Sequence, residues 1–166
     1  MKPLTTDAVT LWVDAPAHRL YEMVADVTRT PEWSPEITRC EWLDGADGPA
    51  VGARFKAWNR VSGLRWTNKP VVEVADPGCE FTFSRAEPMG GTLRWRYRFT
   101  PTEGGTTVEE SYEVTRRIGR PLYLLFRLQG GHRAADMRRG MQMTLRRLKT
   151  AAEDASSPSD NQRANR

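Results

Sequence analysis

The chain holds only two cysteines, Cys40 and Cys79, and two histidines, His18 and His132, in 166 residues. Two cysteines are too few for a secreted disulfide scaffold and are not spaced as a metal motif, so both thiols are expected to be reduced and packed. Around the histidines no Glu, Cys or further His stands at ligand spacing, which argues against a metal site. No apolar run approaches the roughly 20 residues of a transmembrane helix, and the opening MKPLTTDAVTLWVDAP lacks a signal-peptide core, so a cytoplasmic location is expected. No serine occupies a nucleophile elbow and no glycine-rich loop leads from a strand into a helix. Covalent serine catalysis and nucleotide binding thus lack support, and no cofactor is expected.

Among the residues present, six tryptophans are generous for one domain of this length and must be housed somewhere. The net charge of +4 is modest and partly carried by a polar tail, so no nucleic-acid role is implied. One domain is expected over residues 1–153, followed by a disordered tail over 154–166, where ASSPSDNQRANR offers no apolar face to bury.

Val9, Leu11 and Val13 alternate along a first strand at about 7–13. Asp14 beside Pro16 reads as a cap-and-proline helix start, with Ala17, Leu20, Tyr21 and Val24 on one side. A second short helix near Thr28 to Glu32 ends at the prolines of PEWSP. Further strands are expected at about 37–43, 52–60, 64–75, 79–84, 92–100 and 106–114, separated by turn clusters such as Asp76-Pro77-Gly78 and Glu103-Gly104-Gly105. With no helix between them they must pair antiparallel. A last helix runs from about Leu122 to Ala152, with Met137, Met141, Leu145 and Leu148 at helical spacing and Gly130-Gly131 as a weak point. The expected fold is α+β of helix-grip type: a curved seven-stranded antiparallel sheet around a long C-terminal helix, with two short helices after the first strand and a cavity between sheet and helix.

Alternation then assigns side chains to the inner face. Leu93, Trp95, Tyr97 and Phe99 point in and Arg94, Arg96 and Arg98 point to water; Val108, Glu110, Tyr112 and Val114 share the inner side of the last strand. Glu110 is either tied to a nearby donor as a structural hydrogen bond, or a carboxylate that orients a ligand or acts as general base with its pKa raised by burial. Val72 and Val74 set a phase that turns Trp66, Asn68 and Pro70 inward, and Phe55 and Ala57 do the same for Asn59. The two amides either hydrogen-bond a ligand oxygen or satisfy backbone groups at strand ends. Trp33, Trp42, Trp66, Trp95 and Tyr97 are core or cavity wall. Candidate ligand contacts are Asn59, Trp66, Asn68, Phe81, Phe83 and Trp95, together with Tyr97, Glu110, Tyr112, Met137 and Met141. Arg94, Arg96 and Arg98 with Arg54, Lys56 and Arg60 form a basic outer patch, usually only a solvated face but able to meet acidic lipid headgroups or a carrier protein. The apolar stretch Pro121 to Phe126 is core or a rim at the cavity mouth.

The opening VTLWVDAPAHRLYEMVADVTRTPEWSPEI, the strands VGARFKAWNR, LRWTN and VVEVADPG, the pair FTF and LRWRYRF, the EGGTTVEESYEV strand and the closing RRGMQMTLRRLK together resemble the START and birch-pollen-allergen-like superfamily, in its polyketide cyclase/dehydratase branch, over about residues 6 to 152. That resemblance implies a cavity for lipids, polyketides, sterols or similar molecules in a carrier, sensor or enzyme. It supplies no shared catalytic set, and none is carried over. Binding or carriage of a small hydrophobic molecule is the leading expectation. The rivals are an aromatase/cyclase or dehydratase with Glu110 as general base helped by Tyr112 or Tyr97, and an interaction module. Transient membrane-surface contact and a monomer or dimer are the expected associations.

Overall fold

The computed structural model describes residues 6–61, 63–86, 91–116 and 133–155. Strand β1 (Thr6–Val13) leads into helix α1 (Ala17–Ala25) and a 3₁₀ helix (Val27–Glu32). Seven strands follow: β2 (Ile37–Trp42), β3 (Phe55–Val61), β4 (Leu64–Asn68), β5 (Val71–Asp76), β6 (Glu80–Ala86), β7 (Thr92–Thr102) and β8 (Gly105–Arg116). Helix α2 (Arg133–Asp154) closes the described chain, two residues later than expected. The expected start of this helix, with Pro121 to Phe126, Gly130-Gly131 and His132, lies outside the described residues, as do residues 156–166 of the tail.

All pairings are antiparallel, in a five-stranded sheet ordered β1-β8-β7-β6-β5 and a three-stranded sheet ordered β2-β3-β4. This gives eight strands where seven were expected. The run 64–75 is two strands because Pro70 brings no N–H to a ladder and keeps Lys69 from a free choice of backbone angles. The sheets still touch along a seam: Phe55 N–H donates to the Pro70 carbonyl (3.2 Å), Gly52 N–H to Val72 O (2.8 Å) and Val72 N–H to Ala53 O (2.9 Å). A bulge between Val72 and Val74 also corrects the expected phase of β5. Val72 stands opposite Phe83 and is buried, but the extra residue puts Val74 opposite Thr82, on the other face, and Ala75 opposite Phe81.

Helix α2 contributes Leu145, Leu148 and Ala152 to the main core, which also holds Val13, Tyr97 and Val108, while Met137 and Met141 belong to a smaller cluster with Leu93 and Tyr112. Polar ties to β1 hold it in place, with Lys149 Nζ donating to Trp12 O (3.0 Å) and Arg138 paired with Asp7. Helix α1 buries Leu20, Tyr21, Met23 and Val24, and the Tyr21 ring meets Phe81 and Phe99 edge-on at 6.4 and 6.1 Å. The α1 N-cap is Pro16, without a side-chain cap; Asp14 instead offers its N–H to Glu153 Oε1 (2.9 Å), so it ties β1 to α2. Asp26 does act as a cap, for the 3₁₀ helix, accepting from Thr28 N–H (3.2 Å). Gly105 is required by close approach: a Cβ there would lie 2.4 Å from Val13 O and 2.9 Å from the Trp12 ring.

Two surface expectations change. Cys40 is buried, but Cys79 is exposed because it sits in the turn after Asp76-Pro77-Gly78. The arginines of β7 do face outward, yet they do not make a basic patch. Arg94 pairs with Glu73 (2.7 Å) and Glu113 (3.6 Å), Arg96 with Glu109 (3.9 Å) and Arg98 with Glu80 (3.4 Å), and Arg54, Lys56 and Arg60 belong to the other sheet or its edge.

Candidate functional site

The inner faces of β6, β7 and β8, Phe55 of β3, the segment from the 3₁₀ helix into β2, and α2 enclose a partly open cavity of about 70 Å³. A single water takes roughly 10–15 Å³ of such space, and pockets that enclose drug-sized ligands run to about 300–1,000 Å³. The cavity therefore accommodates a ring or short chain as it stands, and a larger molecule only if its walls part.

Six aromatic residues, Trp33, Phe55, Phe81, Phe83, Trp95 and Tyr97, contribute to the wall. Phe83 lies 5.3 Å from Phe55 and 5.8 Å from Phe81, and Trp95 stacks obliquely on Tyr112 at 5.5 Å. Trp33, only 1% exposed, closes the side beneath the 3₁₀ helix, with the Arg29 guanidinium 5.3 Å from its ring. Met137, Gly140 and Thr144 form the α2 side.

The polar end comes from adjacent strands. Tyr97 and Glu110 are direct partners across β7 and β8, and the Tyr97 hydroxyl donates to Glu110 Oε1 at 2.8 Å. Burial pushes the Glu110 carboxyl from its ordinary 4.5 up to about 8; the Tyr97 hydrogen bond opposes that rise and the charge of Glu36 adds to it. Burial likewise drives the Tyr97 hydroxyl well above its usual range, reinforced by Glu110. At neutral pH the pair thus holds both protons, Tyr97 donating to Oε1 and the carboxyl itself a donor. Glu110 Oε2 and Trp95 Nε1 are buried and have no hydrogen-bond partner among the described residues. Two buried donors on lining residues of a cavity that also carries Phe55, Phe81, Phe83 and Met137 suit an acceptor oxygen on a largely apolar molecule.

Of the expected contacts, Phe81, Phe83, Trp95, Tyr97, Glu110 and Met137 line this cavity. Asn59, Trp66, Asn68, Tyr112 and Met141 do not. Asn59 is buried on the inner face, where its amide donates to Ala57 O (3.3 Å) and Trp66 O (3.5 Å) and its Oδ1 accepts from Arg85 (3.5 Å). Asn68, the last residue of β4, is buried opposite Ala57 with neither amide atom partnered among the described residues, and half-buried Trp66 stands opposite Asn59. Tyr112 and Met141 are core behind the wall.

Sequence reasoning missed Arg85, a cavity residue only 5% exposed whose guanidinium lies 5.3 Å from the Trp95 ring. Its signal was the phase of Phe81 and Phe83, which reaches Arg85 once β6 is extended past residue 84. Thr30, Ser34, Glu36 and Ile37 were missed because they sit in a non-periodic stretch. Among the described residues no group of three or more His, Cys, Asp or Glu could hold a metal ion, and no helix is long and apolar enough to cross a membrane.

No curated protein matches the chain. Among solved structures, the di-domain aromatase/cyclase StfQ of the steffimycin biosynthetic pathway superposes with a TM-score of 0.74 at 16% identity, over 92% of this chain and 51% of StfQ. The chain thus spans about half the length of that protein. A polyketide cyclase-like protein of Corynebacterium glutamicum, Cgl2372, is 27% identical over 96% of this chain and 99% of its own, with a TM-score of 0.59. A START superfamily protein of Mycobacterium smegmatis gives 0.67 at 16% identity, over 91% and 99% of the two chains. Residues 8–153 match the family described as polyketide cyclase/dehydrase and lipid transport, and with the helix-grip architecture and the partly open cavity already in view, the chain belongs to that family.

Proposed function

We propose that this protein binds a small, largely apolar molecule bearing a carbonyl-type oxygen, seated with its ring between Phe55, Phe83, Trp95 and Met137 and its oxygen toward Glu110 and Trp95 Nε1. The observation that carries this reading is the cavity, partly lined by rings, that holds a buried Tyr97–Glu110 pair with one carboxyl oxygen unpartnered among the described residues. Apolar burial, at roughly 25 cal/mol per Å², supplies the affinity, and the donors set orientation. The family's description, which covers both cyclisation and lipid transport, is compatible with it.

The test compares a naphthoquinone with naphthalene by calorimetry or protein-detected NMR. Wild type prefers the quinone by about tenfold, the value of one well-made hydrogen bond. Glu110→Gln keeps that preference, since its amide still accepts from Tyr97 and donates inward, whereas Glu110→Leu loses it. Equal binding of both probes, or of neither, overturns the reading.

One observation favours a second reading, proton transfer on a bound polyketone in the manner of an aromatase/cyclase or dehydratase. A carboxyl pushed up to about 8 is poised to exchange a proton near neutral pH and faces the cavity. The two readings part at one variant. If Glu110→Gln binds a poly-β-ketone analogue normally but no longer changes its product distribution, Glu110 is a catalytic acid/base; unchanged products leave binding alone.

A further inference from the structure

The two sheets carry charge differently on their outward faces. On the five-stranded sheet arginines meet acids in register, Arg94 opposite Glu113 and Arg98 between Glu80 and Glu109, the arrangement that stabilises a sheet. The β3–β4 hairpin departs from this pattern. Arg60 and Arg65 are direct cross-strand partners, both are exposed, and neither has an ion pair among the described residues. Like charges placed opposite one another destabilise a sheet, so folding does not account for the pair. On the same face Trp58 sits between two further cations, with Lys56 Nζ 4.4 Å and the Arg39 guanidinium 4.7 Å from its ring. Of these groups, Arg39 is countered by Glu41 at 2.7 Å. One position beyond Arg60 and Arg65, Val61 and Leu64 pair on the opposite side of the hairpin, and Leu64 is 72% exposed, matched among the described large apolar residues only by Val51.

We propose that the end of the β3–β4 hairpin docks on an anionic lipid bilayer, Leu64 entering the acyl boundary while Arg60, Arg65 and Lys56 meet headgroup charges and Trp58 sits at the interface. Cations beside a protruding leucine, with an amphipathic indole one step back, match the layers of a membrane surface in order. A nucleic acid would take the charges but leave Leu64 in water. With so few cations and one leucine, the contact is reversible and weakened by salt. This surface is separate from the cavity, and neither reading depends on the other.

The experiment is sedimentation of the full chain with vesicles of phosphatidylcholine alone or phosphatidylcholine with phosphatidylserine. Binding is expected to the serine-containing vesicles only and to fall as salt is raised. Each neutralised cation is worth about fivefold, so Arg60→Glu with Arg65→Glu lowers binding at least about 25-fold, and Leu64→Ser lowers it several-fold. Arg146→Glu with Arg147→Glu, exposed on α2 and identical in net-charge change, leaves binding unchanged. The milder Arg65→Gln and Leu64→Ser serve if the double reversal melts early by circular dichroism. The idea fails if wild type stays in solution, if the α2 pair loses as much as the hairpin pair, or if a short RNA duplex binds through Arg60 and Arg65 with Leu64→Ser indifferent.

Discussion

A carboxyl group that keeps its proton to about pH 8 in the folded chain, but only to 4.5 when exposed, makes stability depend on pH. Between those values the folded state binds more protons than the unfolded one, so stability falls as pH rises, by at most roughly 1.4 kcal/mol per unit, and levels off above pH 8. Glu110→Gln removes this slope. Its melting temperature is expected to match wild type near pH 4.5 and to exceed it progressively up to pH 8, a gap on the order of a few kcal/mol; parallel melting curves would contradict the buried, protonated carboxyl. Gly105 makes the opposite kind of prediction. With Val13 O 2.4 Å from a hypothetical Cβ, Gly105→Ala should cost about 1–3 kcal/mol in chemical denaturation. Gly48→Ala, with nothing within 4 Å, should change stability by less than about 0.5 kcal/mol. Residue-level facts of the first kind were legible in part. The period of two in β8 placed Glu110 inside, but which donor it met, and how completely it was dehydrated, depended on β7 lying beside it in one particular register. Arg85 was equally determined by period, and was lost because the expected strand stopped at residue 84 where β6 runs on to Ala86.

At the scale of elements, β7, β8 and α2 were legible because each buries one uninterrupted face, whereas the β4–β5 run was not. There Pro70 and the bulge at Val72 and Val74 act one after the other, and a phase carried across them from Trp66 to Val74 ends on the wrong side. The wall made by Thr30 to Ile37 has no period at all, and its place beside the cavity follows from the packing of the 3₁₀ helix on β2 and α1. Helix α2 is the element whose burial most directly holds the grip. Leu148, fully buried against the main core, is expected to cost about 2–5 kcal/mol as Leu148→Ala, while Met143→Ala on the 42% exposed side costs far less by the same denaturation measurement. Similar losses at the two positions would mean that the helix does not seat as described.

For the molecule as a whole, a ligand that enters only the folded state raises the melting temperature with the logarithm of its concentration relative to its dissociation constant. At about a hundred times its dissociation constant the gain is about 2.7 kcal/mol, which for a chain of this length corresponds to about 5–10 °C in a thermal shift. Phe83→Ala, which strips a ring from the cavity without touching Glu110, should cut that shift substantially for a quinone; an undiminished shift would place the bound molecule elsewhere. The overall architecture was the most legible level, since strand order, turn punctuation and a one-sided last helix leave few compact arrangements. Cavity size was the least legible, being the small difference between where two sheets and a helix come to rest.

The join between those two sheets decides how much the chamber can hold. Phe55 stands on one side of it and Phe83 on the other; main-chain links from residues 52–55 to residues 70–72 bridge the line between them, and the Arg85–Asn59 hydrogen bond crosses from one sheet to the other. Swinging one sheet about that line parts the rings while every strand ladder stays intact. Exchanging wall side chains would then adjust how tightly a guest is held, whereas the backbone around Pro70, acting like the pivot of a calliper, would fix how large a guest is admitted.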